Sequence, residues 1–232
     1  LSKHEKVPGF VPKVREVLIP HKKNAVVVSM DFMAQELRVI ADYSQDPGML
    51  ECFIGLPARD MHAMTGLGIL NKTLLEPLTY EQFMAILDDK NHGLFGKVKK
   101  ARAHGKLTNF VSEYGAMAAK VAMTLLVSEE EAQGYLDAKE EAFSRAAGWK
   151  KEVIAEAKKV GYVTTMLGAR RHLRAAFMSP DRMEANKAER QAVNFKVQSS
   201  SAEMTKRAEG KMFDAALEQR FDCEIIASIH DE

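Results

Sequence analysis

Two carboxylates in this sequence each close an apolar run. Asp31 ends "NAVVVSMD", and His230, Asp231 and Glu232 end "IIASIHDE" nearly 200 residues later. A single aspartate where a strand turns into a helix is more often a helix cap than a ligand. Two of them on strands of one small sheet can meet at a common edge. Magnesium takes hard oxygen ligands, a couple of carboxylates plus substrate phosphates. Two such ions a few ångströms apart stabilise the attacking and the leaving oxygen of an in-line phosphoryl displacement. The expected chemistry is metal-assisted phosphoryl transfer. Glu36 follows Asp31 by five positions, across the strand-to-helix turn. Asp42, in "DYSQ", falls inside or at the end of that helix, where a carboxylate usually meets water.

A second set of residues suits an anionic substrate. In "RAHGKLTNFVSEYG", Arg102, Lys106, Phe110 and Tyr114 are spaced by four. On a helix each step of four drifts about 40° around the axis, so the four form one slanting stripe about 18 Å long. Two cations followed by two aromatics match a nucleoside triphosphate laid lengthwise, phosphates at one end and base at the other. The competing reading is an amphipathic helix whose aromatics enter the core. Gly105 inside the stripe is a poor helix former, and the spacing alone leaves both readings open.

These residues need elements to hold them. The β-branched run at 25–31 reads as a buried strand, and "AQELRVIADYS" as a helix ended by the turn at "DPG". Helices are expected near 60–71 and 79–87, then a basic helix over 97–114 continuing through "AMAAKVAMTLL". "SEEE" at 128–131 has capping-box form and opens one long helix that Gly161 stops. "YVTTML" and "RRHLRAAF" around Gly168 read as a hairpin, 182–219 as one long helix, and "CEIIASIHDE" as a closing strand. The order implies an α+β fold, a small antiparallel sheet carrying a large helical insertion.

Composition bounds the partners. The 232 residues carry a net charge of +1, 46% hydrophobic and 28% charged side chains, ordinary for a soluble globular chain. No apolar run is long enough to span a membrane. Cys52 and Cys223 make neither a metal spacing nor a disulfide framework, which points to the cytoplasm. Charge is unevenly placed. From 90 to 112 there is no acid, while Lys90, Lys97, Lys99, Lys100, Arg102 and Lys106 are basic, and Arg170, Arg171 and Arg174 form a later cluster. Basic stripes on a near-neutral chain suit an anionic ligand, although charge alone favours a solvated helix face. The chain starts at Leu1 rather than Met and stops just after an apolar run, so it reads as a piece of something longer.

Taken together, "DFMAQELR", "RAHGKLTNFVSEYG" and "IHDE" resemble the three signature motifs of family A DNA polymerases, in the right order. Asp31, Glu36, Leu37 and Arg38 fit the first; Arg102, Lys106, Tyr114 and Gly115 the second; His230, Asp231 and Glu232 the third. "RDMHAMTG" resembles the family's Asp-Ile-His stretch, and "ERQAVNFKVQSSSAEMTKRA" the helix that carries an Asn and a Gln. The resemblance implies template-directed DNA synthesis, with deoxynucleoside triphosphates added to a primer–template by a monomer. It implies two Mg²⁺ ions on Asp31 and Asp231, with Glu232 as a supporting carboxylate. Lys106 would contact the triphosphate and protonate the leaving pyrophosphate, Arg102 would clamp the phosphates, and His62 would add a contact. Phe110 would pack on sugar and base, and Tyr114 would stack where the templating base arrives. Glu36 would be the steric gate against a ribose 2′-hydroxyl. Arg190, Asn194 and Gln198 would line the minor groove, and His230 would support the primer terminus.

In that architecture residues 1–60 would be palm, 61–160 fingers and 161–232 palm again, with the thumb absent. Departures exist. "FMAQ" replaces Tyr-Ser-Gln-Ile, "VQSSSAE" replaces a Gln-Gly-Thr-Ala-Asp stretch, and "LGARR" carries an extra residue; these point to a diverged, phage-like branch. A single-subunit RNA polymerase and a non-catalytic DNA-binding fragment are the alternatives, against which Glu36 and the retained Asp31 and Asp231 argue.

Overall fold

Short polar side chains start five helices of the computed structural model, which describes residues 24–112, 115, 117–218 and 224–228. Asp46 caps α2 (Pro47–Ile54), accepting the Met49 N–H at 3.0 Å, with Pro47 where a missing N–H does no harm. "DPG" therefore starts a helix as well as ending α1 (Gln35–Ser44). Asp60 caps α3 (Met61–Asn71) through the His62 and Ala63 amides. Capping boxes at Thr79–Gln82 and Ser128–Glu131 open α4 (Tyr80–Asp88) and α7 (Glu129–Ala142). The second is the one expected from sequence.

Two expected continuities break. The basic helix α5 (Phe95–Ser112) does not run on into α6 (Ala118–Leu125); Gly115 between them has φ 75°. The long helix from Ser128 is interrupted at Phe143, whose ψ of 54° separates α7 from α8 (Ser144–Val160) and whose ring is buried in the core. The non-helical backbone at Phe143 coincides with the burial of its ring among the α1, α2 and α8 side chains. Gly161, in the left-handed region at φ 87°, ends α8 as expected.

The described residues form a mostly helical fold with one small antiparallel sheet. Its strands β1 (Tyr162–Thr164) and β2 (Arg170–His172) pair Val163 with Arg171, and Gly168 at φ 93° serves the turn. The segment after β2 leaves the strand at once and becomes a short helix, α9 (Arg174–Phe177). The expected strand at 25–31 is not seen: no strand is assigned there, and Val26 and Val28 are 81% and 68% exposed. A strand needs a partner for its N–H and C=O groups, and the one ladder among the described residues is that of β1 with β2. Residues 224–228 likewise form no ladder. The expected helix over 182–219 is α10 (Arg182–Asn194), a π turn (Phe195–Ser199) and α11 (Ser200–Leu217).

The chain divides into two units, Leu1–Met33 with Met204–Glu232, and Ala34–Glu203. Within the larger unit one apolar cluster joins α1, α8, β1 and α10 through Val39, Ile40, Trp149, Val163 and Val193. Tyr43 of "DYSQ" stacks on Trp149 at 5.6 Å, and Ser44 is buried, so that tetrapeptide serves packing. A second cluster joins α3, α4 and α5 through Ala63, Leu70, Phe83, Ile86 and Val98. There α3 and α5 touch backbone to backbone. A Cβ on Gly105 would lie 2.4 Å from the His62 carbonyl oxygen, and one on Gly66 would lie 2.7 Å from that of Ala101. The poor helix former in the stripe is what lets the two helices meet.

Candidate functional site

The crossing of α3 and α5 leaves one face of α5 open. Lys106 is exposed and Phe110 is 72% exposed, so this aromatic does not enter the core. The buried positions, Val98, Ala101, Gly105, Thr108, Asn109 and Ser112, lie on the adjoining side of the helix. Tyr114, the last residue of the expected stripe, lies outside the described residues.

Arg102 is half-buried and held. Its Nε and Nη2 both donate to Asp60 Oδ2, at 2.9 and 2.5 Å, using two of the guanidinium's five donors. Burial alone would push the Asp60 carboxyl up, but the Ala63 amide, the Arg102 guanidinium and the His62 amide outweigh it and hold it below the usual carboxylate range. Tyr80 Oη accepts the Asp60 amide at 2.7 Å, which fixes the residue from α4 as well.

His62, two residues after Asp60, is half-buried. Burial lowers its pKa, the positive charges of Arg102, Lys106 and Lys139 lower it further, and only Asp60 opposes them. These surroundings favour the neutral ring. Asn109 Nδ2 lies 3.3 Å from His62 Nδ1 and 3.4 Å from the Met61 carbonyl, and Thr65 donates to Asn109 Oδ1 at 2.9 Å. Lys139 on α7 donates to Ser112 Oγ at 2.8 Å, setting a positive charge at the negative end of α5.

The structure thus brings Asp60, His62, Arg102, Lys106, Asn109 and Phe110 onto two crossing helices. It can do one thing readily: offer a cationic and neutral-donor surface to an anion beside an exposed aromatic. Sequence reasoning missed Asp60 and Asn109 as organisers. The "RDMH" spacing was a signal for the first, since an Asp two positions before a helical His is a natural N-cap. Asn109 gave no sequence signal of its own.

Glu36 is half-buried in the first turn of α1, after Ala34 in the left-handed region at φ 54°. Arg190 is exposed, with its side chain 3.2 Å from where a Cβ on Gly115 would sit. Asn194 is half-buried and Gln198 exposed. The π turn, with its wider i to i+5 bonding, lies between them, so Gln198 does not extend a regular α-helical stripe from Arg190 and Asn194. Asp31 is exposed. His230, Asp231 and Glu232 lie outside the described residues. Among the described residues no group of three or more His, Cys, Asp or Glu side chains could hold a metal ion, and no helix is long and apolar enough to cross a membrane.

Comparison with known proteins follows the same lines. The family model described as DNA polymerase family A matches residues 9–232. The chain is 26% identical over 220 residues to DNA polymerase I of Bacillus subtilis (strain 168), covering 95% of this chain and 22% of that protein. It is 29% identical over 206 residues to DNA polymerase I of Treponema pallidum (strain Nichols), covering 89% of this chain and 18% of that one. Among solved structures it resembles the POL domain of Pol1 from M. smegmatis in complex with DNA primer-template and dNTP. That match has a TM-score of 0.68 at 25% identity, covering 87% of this chain and 31% of the other. The chain spans about a fifth of the length of these bacterial polymerases.

Proposed function

The chain belongs to DNA polymerase family A, and from that premise we propose that it serves template-directed DNA synthesis. Deoxynucleotides are added to a primer 3′ end and pyrophosphate is released. The observation that carries this reading is the open face of α5, where Lys106 and Phe110 stay exposed beside Arg102 and His62. A deoxynucleoside triphosphate lies along that face, its phosphates towards Arg102, Lys106 and His62 and its sugar and base against Phe110. Lys106 neutralises the triphosphate and gives its proton to the departing pyrophosphate. Tyr114 stacks where the templating base arrives. Glu36 fills the space a ribose 2′-hydroxyl needs, which favours DNA over RNA synthesis.

Arg190, Asn194 and Gln198 read the minor-groove acceptors that correct pairs share, and His230 supports the primer terminus. Residues 61–160 form the fingers, flanked by palm segments 1–60 and 161–232, in a protein that acts as a monomer. Asp31 and Asp231 hold two Mg²⁺ ions, with Glu232 beside them. Their donor set fits: carboxylate oxygens are hard ligands, and Asp31 is exposed. When bound, the metal eases ionisation of the primer 3′-hydroxyl and offsets charge on the α-phosphate.

Primer extension with Mg²⁺ tests the reading in the protein that carries this chain. Deoxynucleotide addition is expected, and Asp231→Ala should abolish it. Extension that survives Asp231→Ala would overturn the proposal, and a preference for ribonucleotides would favour the RNA polymerase alternative.

A further inference from the structure

We infer that Asn109 sets the tautomer of His62, so that α3 presents a neutral Nε2–H donor to the phosphates of an incoming nucleotide. Asn109 is a positioning residue in this scheme; it acts through the imidazole. The inference rests on the triphosphate reading of the α5 face.

The geometry favours one proton position. The Asn109 amide is 1% exposed and its partners are fixed. The Met61 carbonyl, 3.4 Å away, can only accept, so the amide end beside it must be the NH₂ group. The Thr65 hydroxyl, which also lies 3.4 Å from the Met61 carbonyl, makes its shorter contact with Asn109 Oδ1 at 2.9 Å, consistent with that orientation. The same NH₂ group faces His62 Nδ1 at 3.3 Å. A nitrogen that receives a hydrogen bond carries no proton, so the proton of the neutral ring sits on Nε2. Nε2 has no hydrogen-bond partner among the described residues.

The charges around the ring act in the same sense. Arg102 and Lys106 from α5 and Lys139 from α7 face it, with Asp60 at the cap of α3 opposing them. With the ring half-buried and three cations facing it, a second proton is disfavoured, and His62 contributes a directed donor rather than a third charge. Arg102 and Lys106 already supply charge on this face; what they lack is a short neutral donor held at one angle. Loss of the Asn109 contact would let the imidazole proton exchange between the two nitrogens and waste that direction.

Nitrogen-15 NMR of histidine-labelled protein reads the tautomer directly, with the His62 resonance identified by its loss in His62→Gln. The wild-type ring is expected to show a protonated Nε2 and a bare Nδ1, and Asn109→Asp should move the proton to Nδ1. A wild-type ring protonated on Nδ1, or an even mixture, overturns the inference and leaves the polymerase reading untouched. In single-nucleotide incorporation, Asn109→Asp and Asn109→Leu should each raise the KM for the triphosphate about tenfold with kcat changed less than twofold. In a His62→Gln background the same substitutions should add less than twofold. An equal penalty in both backgrounds would mean that Asn109 only holds α3 to α5, and overturns the positioning role. A protonated Nε2 together with an unchanged KM in His62→Gln removes the phosphate contact itself, which is the failure of the parent reading at this residue.

Discussion

Asp60 shows how one side chain can serve both the fold and the proposed chemistry. It caps α3 with one oxygen and grips Arg102 with the other. Its depressed pKa means that its contribution to stability is present above the ordinary carboxylate value and is lost as pH falls through the lower folded value. Asn can still cap a helix but cannot pair with the guanidinium. Asp60→Asn should therefore destabilise the protein by about 1–2 kcal/mol at pH 7. Denaturant titrations at a series of pH values should show that difference closing in acid. A gap that stays constant with pH would mean the carboxylate charge is not what stabilises. Glu36 belongs to the same scale. Under the steric-gate proposal, Glu36→Ala should raise ribonucleotide incorporation about tenfold, equivalent to ~1.4 kcal/mol of lost discrimination. Competition between ribo- and deoxynucleotides in primer extension measures this, and unchanged discrimination removes Glu36 from the role.

At the scale of elements, local signals were legible and tertiary ones were not. The capping box at Ser128 and the stop at Gly161 depend on neighbours within four residues, and both stand in the structure. The break at Phe143 and the π turn at Phe195–Ser199 answer to distant contacts. The Ser200 hydroxyl bonds Tyr43 Oη at 2.9 Å and the Met166 amide at 3.0 Å, partners 157 and 34 residues away in the chain, so no local window reveals them. Gly105 was visible as an anomaly, but its reason was not: the close approach of α3 appears only once the helices are packed. That reason reverses the sign of a common substitution. In a helix interior Gly→Ala gains about 1 kcal/mol from propensity, and Gly134→Ala in α7, with nothing within 4 Å of the added Cβ, should show a gain of that order. Gly105→Ala should instead lose about 2–3 kcal/mol through overpacking against the His62 carbonyl. Urea unfolding of the two variants checks the contrast, and a stabilised Gly105→Ala would mean that the crossing is looser than the backbone distances say.

For the whole molecule, the chain's family was legible because three motifs, each unremarkable alone, recur in order across more than 200 residues. The strands meant to carry two of them were not borne out among the described residues, since a strand is specified jointly with its partner and a β-branched run read in isolation names only half of the pair. What remains to be tested is whether two acids at opposite ends of the chain act as one site. If Asp31 and Asp231 share their ions, removing either carboxylate should disable the same binding event. Mn²⁺ can stand in for Mg²⁺ and is counted by its EPR signal in the presence of primer–template and a deoxynucleoside triphosphate. Asp31→Asn and Asp231→Asn should each weaken Mn²⁺ binding at least tenfold. The double variant should then be little worse than either single one, because groups that act as a unit are not additive. Effects that simply multiply would show two independent carboxylates, each with its own ion, and would break the link between the first and last motifs on which the proposed two-metal chemistry depends.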